Sequence, residues 1–92
     1  MIKEVIRTAA FKRDYKRELK TDGDLDSLLV PVVTALVSGA VLEAKYRDHK
    51  LSGDWKPCRD CHLKPDLVLI YSFPDAETLR LERLGSHSEQ CL

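Results

Sequence analysis

Three histidines, His49, His62 and His87, and two aspartates, Asp60 and Asp66, are the residues of this 92-residue chain best suited to moving protons near neutrality. Most of them lie between Tyr46 and Tyr71, in YRDHKLSGDWKPCRDCHLKPDLVLIY, together with the only tryptophan, Trp55. Asp60 and His62 are two residues apart, so an extended chain puts them on one face. There a carboxylate can orient an imidazole and raise its pKa. His49, in a polar stretch before them, and Asp66, in a turn after them, can reach the same end of a sheet. Near the C-terminus Arg83, Gly85 and His87 share a second face, offering fixed positive charge for a phosphate, a close backbone approach and a third imidazole. Leu79 and Leu81 have the parity of Arg83 yet belong in a core. Both demands are met if the strand's far end outruns the helices or if Gly85 marks a bulge. Together these groups suit acid–base chemistry on a phosphate ester. Plainer roles exist for the same residues: a solvated His49, an Asp60 paired with Arg59 or Lys56, a turn-capping Asp66, and Trp55 as a core anchor.

Cys58-Arg59-Asp60-Cys61-His62 spells the C-x-x-C-H of c-type haem attachment. Its surroundings read as a strand, where Cys58 and Cys61 point to opposite faces. A zinc site drawn from Cys58, Cys61, His62, His87 and Cys91 meets the same obstacle, because four ligands must converge. Small packing roles for the cysteines fit better, and neither a metal nor a cofactor is expected.

The elements that must position these groups follow from hydrophobic period and turn chemistry. Ile2, Val5, Ile6 and Thr8 suggest a short first strand. Thr8 is a good helix N-cap, and Phe11, Tyr15 and Leu19 form a stripe on a helix whose outer face carries Lys12, Arg13, Lys16, Arg17 and Lys20. Asp22-Gly23-Asp24 ends it, with Gly as C-cap. A second, largely apolar helix starts near Asp26-Ser27, takes Pro31 close to its first turn and stops at Ser38-Gly39. Ala44 to Gly53 reads as an irregular loop. Strands are expected over Trp55–Leu63, Leu67–Phe73 and Thr78–Ser86, joined by turns at Lys64-Pro65-Asp66 and Pro74–Glu77. The order β-α-α-β-β-β predicts one α+β domain over 1–92, a helix hairpin packed on one face of a small, mainly antiparallel sheet.

Lysine plus arginine equals aspartate plus glutamate, 15 each, for a formal net charge of zero. Bases nevertheless outnumber acids from Met1 to Gly23 and again from Lys45 to Asp66, so a basic face is available. The three cysteines cannot close a disulfide framework. The opening lacks the basic and then apolar pattern of a signal peptide, so a cytoplasmic protein with reduced thiols is expected. The longest apolar run, LLVPVVTALVSGAVL, falls short of the roughly 20 residues of a membrane helix, so no membrane contact is expected.

Asp48-His49-x-Leu51-x-Gly53-x-Trp55, Arg59-Asp60-Cys61-His62-x-x-Pro65-Asp66-x-x-Leu69-Ile70-Tyr71 and Arg83-x-Gly85-Ser86-His87-Ser88-Glu89 together resemble the YafQ branch of the RelE/ParE superfamily of bacterial toxins. The resemblance spans nearly the whole chain. It implies a ribosome-dependent endoribonuclease that cuts mRNA in the ribosomal A site without a metal or small-molecule cofactor. It also implies restraint by a cognate antitoxin of the RelB/DinJ type. The ribose 2′-hydroxyl would attack the adjacent phosphate, leaving a cyclic phosphate and a 5′-hydroxyl. His49, Asp60, His62, Asp66, Arg83 and His87 match the family's active-site motif. His87 would protonate the leaving oxygen, His49, His62 or Asp66 would take the 2′ proton or orient the RNA, and Arg83 would neutralise the transition state. Lys50, Trp55, Lys56 and Arg59 are the candidate RNA contacts. The family commonly ends in an apolar and an aromatic residue, where this chain has Gln90-Cys91-Leu92. Two alternatives of other classes are a non-catalytic gyrase inhibitor like the ParE branch and a zinc-stabilised interaction module.

Overall fold

The Thr8 hydroxyl accepts the Phe11 N–H at 3.0 Å and so opens the first helix as an N-cap should. The structure, a computed structural model, describes residues 2–51 and 58–86. They form β1 (Glu4–Arg7), α1 (Ala9–Thr21), α2 (Leu25–Ser38), a 3-10 turn (Ala44–Tyr46), β2 (His49–Lys50), β3 (Cys58–Lys64), β4 (Leu67–Asp75) and β5 (Thr78–Gly85). The strands make one five-stranded sheet in the order β1-β5-β4-β3-β2. β1 runs parallel to β5, and the remaining pairs are antiparallel. The expected α+β order is therefore present, with one strand more than the periodicity revealed. That strand is β2, only two residues long and set within the stretch expected as irregular loop.

Two boundaries differ from the sequence expectation for local reasons. α1 is closed by Asp22 in extended conformation, whose N–H reaches Glu18 O, and its carboxylate then accepts the Asp24 N–H at 2.9 Å. The backbone N–H of Asp22 thus closes the helix, in place of the glycine C-cap expected at Gly23. α2 begins at Leu25 rather than near Asp26-Ser27, so Pro31 sits inside the helix. The bond it forfeits would go to Ser27, and both residues are on the exposed face of the helix, so the loss falls on the solvent side. At the other end α2 stops at Ser38-Gly39 as expected: Gly39 adopts φ 81°, a left-handed cap, and its N–H returns to α2 carbonyls.

The main core lies between the two helices and one sheet face. Phe11, Leu25, Leu29, Val32 and Leu36 meet Cys61, Leu69, Tyr71, Leu79, Leu81 and Leu84 there. A smaller cluster, Cys58, Val68 and Ile70 with Leu51 against it, lies on the other face. The expected Phe11–Tyr15–Leu19 stripe is only partly inward: Phe11 is buried, Tyr15 half-buried and Leu19 exposed, while Asp14 is buried.

Leu69 is fully buried on the central strand, so Leu69→Ala should lower unfolding stability by about 2–5 kcal/mol. Val41, 94% exposed, should tolerate alanine within about 0.5 kcal/mol. Urea midpoints of the two variants check the contrast.

Candidate active site

The strand register brings the separate sequence motifs into line. His49 pairs with Asp60, Asp60 with Ile70, and Ile70 with Arg83. Directly paired residues share a face, so His49, Asp60 and Arg83 have one parity, in a row across four strands on the face opposite α1 and α2, although the Arg83 guanidinium reaches back to Asp14 of α1. His62, Val68 and Gly85 form the next row on that face. The parity conflict within β5 is resolved by an irregularity that absorbs Glu82: Tyr71 pairs with Leu81 but Ile70 with Arg83. Leu79 and Leu81 enter the core, and after the shift Leu84 does so while Arg83 takes the opposite face. The bulge expected at Gly85 therefore lies three residues earlier.

His49 is half-exposed, and its Nδ1 lies 2.9 Å from the Arg47 carbonyl and 2.8 Å from Oδ1 of the fully buried Asp60. Both neighbours are acceptors, so Nδ1 carries the proton and the neutral ring keeps its lone pair on Nε2. Arg47 reaches this geometry in the left-handed region, at φ 49°. For a non-glycine residue that costs about 1–2 kcal/mol, which marks this turn as constrained by its surroundings.

Arg83 is held from α1. Its Nε donates to Asp14 Oδ2 at 2.7 Å and a terminal nitrogen to Oδ1 at 3.3 Å. The same carboxylate accepts the Leu84 N–H at 3.0 Å, and Arg17 approaches it at 3.4 Å. Burial pushes the Asp14 carboxyl up, but the bond from Arg83, the Leu84 N–H and the charges of Arg83 and Arg17 outweigh it and hold it below 3.8.

The other expected residues divide. His62 lines a cleft of about 350 Å³ with Tyr46 and the bases Lys45, Arg47 and Lys64. Asp66 is exposed in the β3–β4 turn, beside a second cleft lined by Asp22, Leu25 and Lys64. Lys50 and Arg59 pair with each other and with the Tyr71 row, so they have the parity of the helix face, opposite His49 and Asp60. Arg59 is engaged by Asp48 at 3.1 Å, and Tyr71 donates its hydroxyl to the same carboxylate. That bond to Asp48 is the main reason the Arg59 pKa is raised. Arg59 thus anchors the turn that carries His49. Trp55, Lys56 and His87 lie outside the described residues. Asp14, Arg47 and Tyr46 were not singled out as site residues in the sequence, and Asp48 only opened the Asp48–Trp55 motif. Asp14 left a signal as a carboxylate at the i+3 position of the stripe that Phe11 starts.

Cys58 and Cys61 are reduced, buried and on opposite faces. That placement removes the paired thiols that C-x-x-C-H haem attachment or a zinc knuckle would use. Among the described residues, no three His, Cys, Asp or Glu side chains gather as a metal set, and no helix is long and apolar enough to cross a membrane.

Two solution measurements follow from these environments. Burial, followed by the charges of Asp48 and Asp60, pushes the Cys61 thiol up to about 12, and burial raises Cys58. Peptide mapping after iodoacetamide at pH 8 should find both unmodified in the native protein and modified in urea. Asp14 has a folded pKa below its ordinary value, so its contribution to stability is present above 3.8 and lost as pH falls through the lower folded value. Urea midpoints of the wild type should therefore fall more steeply below that pH than those of Asp14→Asn.

A family model described as the bacterial toxin of type II toxin–antitoxin system, YafQ, matches residues 3–91. The mRNA interferase toxin YafQ of Escherichia coli K12 is 36% identical over 87 residues, 94% of this chain and 92% of that one. A copper-bound mutant toxin from Helicobacter pylori superposes with a TM-score of 0.89 at 40% identity, covering 97% of this chain and 98% of that one. The E. coli DinJ–YafQ complex gives 0.85 at 33% identity, covering 97% of both chains. The chain belongs to the YafQ family of bacterial type II toxin–antitoxin toxins.

Proposed function

We propose that this chain is an mRNA endoribonuclease that inhibits translation by cutting mRNA in the ribosomal A site, and that a DinJ-like antitoxin restrains it. The observation that carries the reading is the His49–Asp60 pair in one sheet row with Arg83. It supplies an oriented base, a buried counter-charge and a phosphate-binding cation. The family's interferase member and its complex with DinJ support the same reading.

In the proposed reaction, Nε2 of His49 takes the proton of a ribose 2′-hydroxyl. The oxygen attacks the adjacent phosphorus, the 2′,3′-cyclic phosphate forms, and the bond to the 5′-oxygen breaks. His87 donates the proton that the 5′-oxygen needs, an assignment that rests on its place in the Arg83–Glu89 motif. Arg83 offsets charge on the phosphorane-like transition state. His62, with Lys45, Arg47 and Lys64 around its cleft, orients the strand by its phosphates. Atoms and charge balance without a metal. Lys12, Arg13, Lys16 and Lys20, exposed on α1, would meet ribosomal RNA. A reaction on translating ribosomes sets the site of action in the cytoplasm.

Primer extension on an mRNA carried by translating ribosomes tests this reading. The wild type should give in-frame, ribosome-dependent cuts, and His49→Ala should lower their rate by about a hundredfold or more. A folded wild type that leaves the mRNA intact would remove the proposal.

A further inference from the structure

Asp14 lies on the first helix, far in sequence from every residue of the proposed reaction, and it is one of two buried acids among the described residues. Its side chain is 4% exposed, and the Arg83 side chain it grips is 34% exposed. The fork is two-pointed, Nε to Oδ2 at 2.7 Å and a terminal nitrogen to Oδ1 at 3.3 Å. One hydrogen bond leaves a guanidinium free to swivel, whereas two parallel bonds fix its plane. The carboxylate is itself fixed, because Oδ2 also accepts the backbone N–H of Leu84, the residue next to Arg83. Arg17, one turn along the helix, donates to the Leu84 carbonyl at 3.3 Å. The arginine is therefore braced from the buried side while part of it faces solvent.

We infer that Asp14 is the positioning residue for Arg83, holding its guanidinium where the scissile phosphate binds. The inference rests on the proposed RNA cleavage and on Arg83 as the phosphate-binding cation. A strand-edge cap alone would need only the bond to Leu84. The fork to Arg83 adds orientation, and a mobile arginine would have to be ordered anew in each transition state.

The test is a double-mutant cycle on single-turnover cleavage with saturating programmed ribosomes, using wild type, Asp14→Asn, Arg83→Ala and the double variant. Ribosome affinity and the urea midpoint of each protein are measured alongside. Arg83→Ala should slow cleavage by about a hundredfold, and Asp14→Asn by about tenfold or more with ribosome affinity kept. In the Arg83→Ala background, Asp14→Asn should have no further effect on the rate. A merely structural Asp14 would lower the urea midpoint and reduce the rate equally in both backgrounds, and that result overturns the inference. So does a wild-type rate in Asp14→Asn, with the cleavage reading intact. A wild type that cuts no ribosome-bound mRNA overturns that reading, and the inference falls with it. A second readout needs no variant: a braced Arg83 should give a sharp, slowly exchanging Nε–H resonance in the wild-type protein. Exchange as fast as in free arginine would overturn the inference.

Discussion

A helix stands in for a missing strand in this fold. β1 ends at Arg7, opposite Leu81, yet β5 continues to Gly85. Beyond Leu81 the outer edge of β5 has no strand neighbour among the described residues, and a buried backbone group left unpaired there costs about 1–3 kcal/mol. The start of α1 supplies the partners. The Thr8 N–H bonds to Leu81 O and its hydroxyl to Glu82 O, Asp14 accepts from Leu84 N–H, and Arg17 donates to Leu84 O. These four bonds hold the irregularity at Glu82 in place. The irregularity in turn sets the parity of everything after it, sending Leu84 into the core and Arg83 to the opposite face.

The sheet consequently separates two tasks by face. One face is sealed against the helices by leucines, and the other carries His49, Asp60, His62 and Arg83 in two adjacent rows. The link between them is Asp48, which takes the hydroxyl of the buried Tyr71 and the guanidinium of Arg59 beside the turn that bears His49. Burial, and then that bond to Asp48, raises the Tyr71 pKa, so the phenol stays a donor and the turn stays tied to the core. Rigid support of this kind lets a two-residue strand hold an imidazole against a buried carboxylate.

Most of the framework was legible because period and turn chemistry are local. Thr8, Gly39 and the β-branched and aromatic run of Leu67 to Phe73 announce their roles in the sequence itself. Three features were not legible, each for a stated physical reason. β2 is too short to show a period. The bulge at Glu82 is fixed by bonds from a helix some 70 positions away, so only a parity conflict between Leu81 and Arg83 betrayed it. Asp14 looked like one more charge on a basic helix, because its burial depends on Arg83 and Leu84 arriving from the far end of the chain. Lys50 and Arg59, expected as RNA contacts, have the parity opposite to His49 and Asp60, since neighbours on a strand face opposite ways.

The zero net charge is misleading for a related reason. Several of its acids do not face solvent as independent charges. Asp14 and Asp60 are buried, while Asp48, Asp22 and Glu82 are engaged by Arg59, Lys64 and Arg80. These carboxylates act as internal struts, each fixing a cation or an imidazole. The α1 bases Lys12, Arg13, Lys16 and Lys20 lie outside that network and are exposed to solvent. A sum over the sequence weighs both groups alike, but an approaching polyanion does not. It meets the exposed bases at short range, and the buried acids only through the cations they already hold. Acids used as struts thus let a neutral chain present a basic surface beside a site that needs carboxylates.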